Sequence, residues 1–86
     1  MVQQTSIESY HKVTEEELGS KQFAVYHYLI DNGPSTNRQI AKGLALPINT
    51  ITPRVLELRE FGMVKKAHLC FDFETSRRVI AWEVDL

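Results

Sequence analysis

The sequence is poor in cysteine, the residue that forms disulfide bonds and most structural metal sites: Cys70 is the only one among its 86 residues. A single thiol cannot close an intramolecular disulfide, and one cysteine with three histidines lacks the paired spacing of a structural zinc site. No run approaches the roughly 18 apolar residues of a membrane helix, and the polar N-terminus lacks a signal-peptide layout. We therefore expect a cytoplasmic protein without cofactor, metal or membrane association.

Catalytic motifs are missing as well. The sequence has no Gly-rich phosphate loop, no GxSxG motif and no spaced carboxylate pair. A chain of this size buries only roughly 60% of the surface of its unfolded form, which leaves little room for a buried active site. We expect no enzyme, and we interpret Cys70 as a small, partly buried strand residue rather than a nucleophile or, with His68, a metal ligand.

Charge is nearly balanced overall, with a formal net charge of −1, but it is unevenly distributed. Residues 1–35 contain two basic and five acidic side chains, whereas residues 36–82 contain eight basic and four acidic ones. The excess of basic side chains in residues 36–82 favours a polyanionic partner. The acidic first third and the low net charge favour a protein partner instead, so both alternatives stay open.

The N-terminal third is predicted to hold a flexible arm and one helix. Residues 1–13 are polar and without a sustained period, so we treat them as an arm and residues 14–86 as one domain. Thr14–Glu17 fits a capping box, but Ser20 is the better cap for a helix over residues 20–32.

Two further helices are predicted after the Asn-Gly-Pro turn that ends the first. Thr36–Gln39 is a capping box for a short helix over residues 37–44. Asn49 can cap a third helix over residues 50–61, with Pro53 in its first turn or just past it. The core-facing stripe of this third helix is expected to be Ile51, Val55 and Leu58.

The last part of the chain predicts a β-hairpin. Apolar segments at Met63–Val64, Leu69–Phe71 and Val79–Val84 flank a polar connection at 72–77. A hairpin alone is marginally stable in water, so its apolar face should pack on the helices, anchored by Trp82 and Val84. The predicted fold class is therefore α+β.

The sequence from helix 2 to the hairpin resembles MarR-type and related bacterial or phage winged-helix domains. The resemblance lies in the runs Gln39–Leu46, Asn49–Val55 and Leu58–Val64, and in the basic turn Thr75–Arg78 that leads to Trp82. The shared features are an Ile-Ala pair in helix 2, a polar start to helix 3, and a Gly-containing exit before the first strand. The resemblance implies a winged helix-turn-helix: three helices and a two-stranded β-hairpin wing, with room for a short strand before helix 2.

Such a domain implies sequence-specific binding of double-stranded DNA by a bacterial or phage transcriptional regulator, with helix 50–61 in the major groove and the wing at residues 72–78 on the backbone. Outward Asn, Thr and Glu side chains of helix 3, with Arg54 on its flank, can read base edges, and the start of helix 2 can contact phosphates. The candidate DNA contacts are Asn37, Arg38, Asn49, Thr50, Thr52, Pro53, Arg54, Glu57, Arg77 and Arg78.

Two points about partners stay open at the level of sequence. The long dimerisation helices of full-length MarR-type repressors have no counterpart here, so a homodimer would use helix 1, the N-terminal arm or the hairpin edge. The alternative function is a winged-helix protein–protein interaction module in a replication, phage-regulatory or host-inhibitor complex. Leu56, on the outer side of helix 3, is expected to contact the hairpin, a second protomer or another protein. Lys65 and Lys66 are expected to guard an edge strand against unwanted pairing.

Overall fold

The computed structural model describes residues 18–85; the predicted arm at residues 1–13 and the capping box at Thr14–Glu17 lie outside them. The described part forms three helices and a three-stranded antiparallel sheet, which confirms the α+β class and the short strand before the second helix. The elements in chain order are α1 Ser20–Asn32, β1 Ser35–Thr36, α2 Asn37–Leu44, α3 Ile48–Glu60, β2 Val64–Asp72 and β3 Arg77–Val84.

The first helix has the predicted bounds, but the predicted cap is wrong. Gly19 occupies the N-cap position with φ of 81°, and its carbonyl accepts a hydrogen bond of 3.0 Å from the Phe23 amide. Ser20 is consequently the first helical residue, and no side chain caps this helix. Gly33, with φ of 75°, ends it as the turn signal predicts.

The second helix confirms both its predicted bounds and its capping box. The Thr36 hydroxyl accepts a hydrogen bond of 3.2 Å from the Gln39 amide, and the Thr36 amide donates one of 2.9 Å to the Gln39 side chain. Ala45 follows the helix in the left-handed conformation, with φ of 56°. Gly43 lets α2 approach α1, because a Cβ there would lie 2.2 Å from a ring carbon of Tyr28.

The third helix begins two residues earlier than predicted and ends one residue earlier. Pro47 holds the N-cap position, and its carbonyl accepts hydrogen bonds from the Thr50 and Ile51 amides at 3.0 and 3.3 Å. Asn49 therefore lies inside the helix and does not cap it. Pro53 is an interior residue, where its ring nitrogen cannot donate to the carbonyl four residues earlier.

The sheet has the order β1-β3-β2, with β3 in the centre. β1 pairs with β3 through Ser35 opposite Trp82, and β2 pairs with β3 from Val64 opposite Val84 to its far end. An irregularity between Lys66 and His68 shifts the register of β2. Both strands of the hairpin are longer than predicted, because exposed polar residues such as Lys65, Lys66 and Arg78 pair through their backbone and leave no apolar pattern in the sequence.

The core lies between the helices and the sheet. The predicted stripe on α3 is confirmed, since Ile51, Val55 and Leu58 are at most 1% exposed. Trp82 anchors the sheet at 9% exposure, and the Arg59 guanidinium lies 5.6 Å from the centre of its ring. Other buried members are Leu18, Val25, Tyr26, Leu29, Ile40, Ala41 and Val64, with Val84 packed against them.

Candidate nucleic-acid interface

A groove between the start of α2, the start of α3 and the β-hairpin brings together four of the predicted DNA contacts. Its volume is about 420 Å³, and we call it the hairpin groove. Ile48 and Trp82 contribute apolar surface to its wall. The predicted contacts that line it are Asn37, Arg38, Arg77 and Arg78.

Asn37 joins the two helices that flank the hairpin groove. Its Nδ2 donates a hydrogen bond of 3.4 Å to the Thr52 hydroxyl on α3. That hydroxyl in turn donates to the Ile48 carbonyl at 3.1 Å, one helical turn earlier. Two predicted contacts, Asn37 and Thr52, are therefore neighbours, and they fix the start of α2 against the start of α3.

Arg38 is held by the hairpin. Its Nε lies 3.0 Å from Asp72 Oδ2 and its Nη1 lies 2.9 Å from Glu74 Oε2. Lys42, one turn further along α2, also pairs with Glu74. The positive side chains of α2 are thus already matched by carboxylates of the chain itself, and this network ties the hairpin turn to α2.

Asp72 organises the turn as well as pairing with Arg38. Its carboxylate accepts hydrogen bonds from the Glu74 amide at 3.0 Å and the Thr75 hydroxyl at 3.1 Å. Burial acts to raise the pKa of Asp72, but hydrogen bonds from Arg38, Glu74 and Thr75 outweigh it and leave the pKa below its ordinary value. The hydrogen bond from Lys42 likewise lowers the pKa of Glu74. Both carboxylates are therefore ionised near neutral pH.

Arg54 lies outside the hairpin groove, on the side of α3 that faces α1. Its Nε is 2.7 Å from Glu57 Oε1 and its Nη2 donates to Oε2 at 3.0 Å. Gln22 on α1 also donates to Glu57, at 2.6 Å, and this hydrogen bond lowers the pKa of Glu57. Arg54 and Glu57 thus form a link between α3 and α1, in a separate recess beside residues 18–22.

The remaining predicted contacts lie on the solvent side of α3. Asn49 and Pro53 are exposed, and Thr50 is partly exposed. Leu56 shares this side with 52% of its surface exposed, as the helical spacing predicts. This side of α3 therefore combines an amide, a hydroxyl and apolar groups. Arg59 is a further exposed residue of α3, and it forms no ion pair within residues 18–85.

Arg77 and Arg78 are exposed at the start of β3 and form no ion pair with any residue between 18 and 85. They differ in this respect from Arg38 and Arg54. Sequence reasoning missed the acidic partners Asp72 and Glu74, and it missed Lys42. No local signal marks them, because Arg38 and Asp72 are 34 positions apart and meet only in the folded chain.

No protein-family model matches the chain, and no curated protein matches it significantly. Within residues 18–85, no helix is both long and apolar enough to cross a membrane. The same residues include no group of three His, Cys, Asp or Glu side chains placed to hold a metal ion.

Proposed function

We propose that this chain is a winged helix-turn-helix domain that binds double-stranded DNA sequence-specifically, as a bacterial or phage transcriptional regulator acting by occupancy of its site. The observation that carries the proposal is the hairpin groove, where the unpaired Arg77 and Arg78 lie near Asn37 and the start of α3. A helix presenting polar side chains, flanked by a basic hairpin, matches the docking geometry of duplex-binding domains.

In this proposal the exposed side of α3 enters the major groove. Asn49 can pair with an adenine edge through two hydrogen bonds, and Thr50 can donate to or accept from a base. Arg77 and Arg78 lie along the flanking backbone or reach the minor groove. Arg54 pairs with Glu57, which also accepts a hydrogen bond from Gln22 on α1, so a contact of Arg54 with DNA would compete with this ion pair.

The ion pairs limit how strongly one domain can bind a polyanion. Arg38 and Lys42 are matched by Asp72 and Glu74, so the cations of the hairpin groove that remain for phosphates are Arg77 and Arg78. Each phosphate neutralised changes the slope of log K against log salt concentration by about −0.9. Removing both arginines should therefore make the slope shallower by about 2.

The first experiment is selection from a randomised duplex pool at two salt concentrations, followed by affinity measurements on the enriched sequence. The double variant Arg77→Ala/Arg78→Ala should bind weakly to all sequences, with the shallower slope. The matched control is Lys65→Ala/Lys66→Ala, which removes the same charge from exposed positions of β2 outside the hairpin groove. The proposal is overturned if both double variants lose the same affinity for the duplex, or if the unaltered chain retains no duplex at low salt.

A second candidate function, protein–protein interaction, is favoured by the apolar surface at and after α3. Leu56 is 52% exposed and Phe61 is 59% exposed, and the acidic Glu60 lies between them in sequence. A DNA groove gains little from such a surface, whereas a protein partner could bury it. Binding through this surface should be nearly independent of salt and should be lost on Leu56→Ala, with Arg77→Ala unchanged. Steep salt dependence of partner binding would count against it.

A further inference from the structure

Within residues 18–85, no strand pairs with the outer edge of β2. In the sheet order β1-β3-β2, β2 has a neighbouring strand on one side among the described residues, and that strand is β3. An open edge presents backbone N–H and C=O groups that can pair with another strand. Most proteins protect such an edge with lysines, bulges or a covering segment.

Protection of this edge is confined to its first half. Lys65 and Lys66 are exposed there, and the register shift before His68 interrupts the ladder. The second half, His68–Asp72, pairs with β3 without interruption, from His68 opposite Ala81 to its last residue. This second half has a regular edge and no lysine.

The unprotected half also presents apolar side chains to solvent. Leu69 and Phe71 are 50% and 48% exposed, and strand alternation places them on the same face. Phe73, just past the strand, is 86% exposed, and its ring packs edge-on against Phe71 with the centres 4.9 Å apart. An apolar stripe thus runs beside an open backbone edge, which is the combination that strand addition uses.

We propose that His68–Asp72 is a docking edge for a second copy of this chain, which pairs its own β2 antiparallel about Cys70 and closes a six-stranded sheet. Cys70 is the midpoint of the uninterrupted half, so a twofold axis there uses the whole of that half in both copies. The inference does not depend on DNA binding.

The side chains of the two copies are complementary in this register. Leu69 of each copy lies opposite Phe71 of the other, which gives two apolar cross-strand pairs on one face. On the opposite face, His68 of each copy lies opposite Asp72 of the other, so an imidazole N–H donor meets a carboxylate. The same short segment thus supplies both halves of every pair, as a twofold contact requires.

The contact is small, so the dimer should form at a dissociation constant on the order of 100 μM rather than nanomolar. Light scattering across a concentration series measures the mass, and amide chemical shifts of the same samples locate the contact. We expect the mass to rise toward twice that of the monomer, with concentration-dependent shifts concentrated in His68–Asp72.

A pair of variants tests the role of the apolar stripe. Leu69→Lys adds a charge at the proposed contact and should raise the dissociation constant by about tenfold or more. Asn32→Lys is the control, because it adds the same charge at an exposed position at the end of α1, outside β2. It should dimerise like the unaltered chain.

The proposal is wrong if the chain stays monomeric at millimolar concentration, if the amide shifts fall outside β2, or if both variants dimerise equally. Should Leu69→Lys fail to fold, the amide shifts of the unaltered chain still decide the question. Failure of duplex binding leaves this test unaffected, because Arg77 and Arg78 are outside the docking edge.

Discussion

Replacing Pro53 with alanine should stabilise the protein. Pro53 lies in the interior of α3, where it has no amide proton for the carbonyl of Asn49, and its side chain is exposed, so no core packing is lost with the ring. Proline in a helix interior is about 3 kcal/mol less favourable than alanine. Proline also stiffens the unfolded chain, which offsets up to about 1 kcal/mol of that cost. Pro53→Ala should therefore raise the free energy of unfolding by about 2 kcal/mol.

Urea denaturation followed by circular dichroism measures this change directly, and a thermal scan should show a midpoint about 10 °C higher. Glu60→Ala is the control, since it alters an exposed position of the same helix that has normal backbone hydrogen bonding. Its stability should stay within about 0.5 kcal/mol of the unaltered chain. If Pro53→Ala is neutral or destabilising, α3 is not a continuous helix through position 53, and the reasoning fails.

Two further predictions concern the hairpin turn. Ser76 has φ of 55°, a conformation that costs a non-glycine residue about 1 kcal/mol, so Ser76→Gly should raise stability to urea by up to that amount. Thr75→Gly is its control and should lower stability, because it removes the hydrogen bond to Asp72; a destabilising Ser76→Gly would contradict the assigned turn. Asp72 has a folded-state pKa below its ordinary value of 3.8, so its contribution to stability is present above about pH 4 and is lost as the pH falls below that. The thermal midpoint of Asp72→Asn should consequently fall less between pH 6 and pH 3 than that of the unaltered chain. The control Asp31→Asn, outside the ion-pair network, should follow the unaltered chain. If the midpoints of Asp72→Asn and the unaltered chain fall in parallel, the prediction is wrong.

Local signals explain which parts of the fold the sequence could predict. The capping box at Thr36–Gln39 and the spacing of Ile51, Val55 and Leu58 depend on residues within one or two helical turns, and both are confirmed. The caps assigned to Ser20 and Asn49 are wrong because a favourable residue type near a helix start does not fix the register. Backbone carbonyls of the preceding residues accept the first amides instead.

The candidate site is less predictable because its charges interact across the fold. Helical spacing predicts Arg54 on the flank of α3 and Glu57 on its outward side, yet Glu57 accepts hydrogen bonds from both Arg54 and Gln22 on α1. The amide of Gln22 and the carboxylate of Glu57 are 35 positions apart, so no periodicity or motif marks their contact. Helical spacing predicts which side of α3 is exposed, but it does not predict which exposed groups are already paired.

The basic character of residues 36–82 illustrates the same limit. Counted along the chain, this segment is rich in cations, but Arg38, Lys42 and Arg54 each face a carboxylate within it. The unpaired cations in the hairpin groove are Arg77 and Arg78. They lie on the same hairpin as the edge His68–Asp72, through which we propose that two copies pair. Dimerisation there would double the number of unpaired arginines on one assembly, and linked sites bind more tightly than either alone. Because each copy offers two unpaired cations in its hairpin groove, the proposed binding of DNA thus has a physical reason to use a pair of copies.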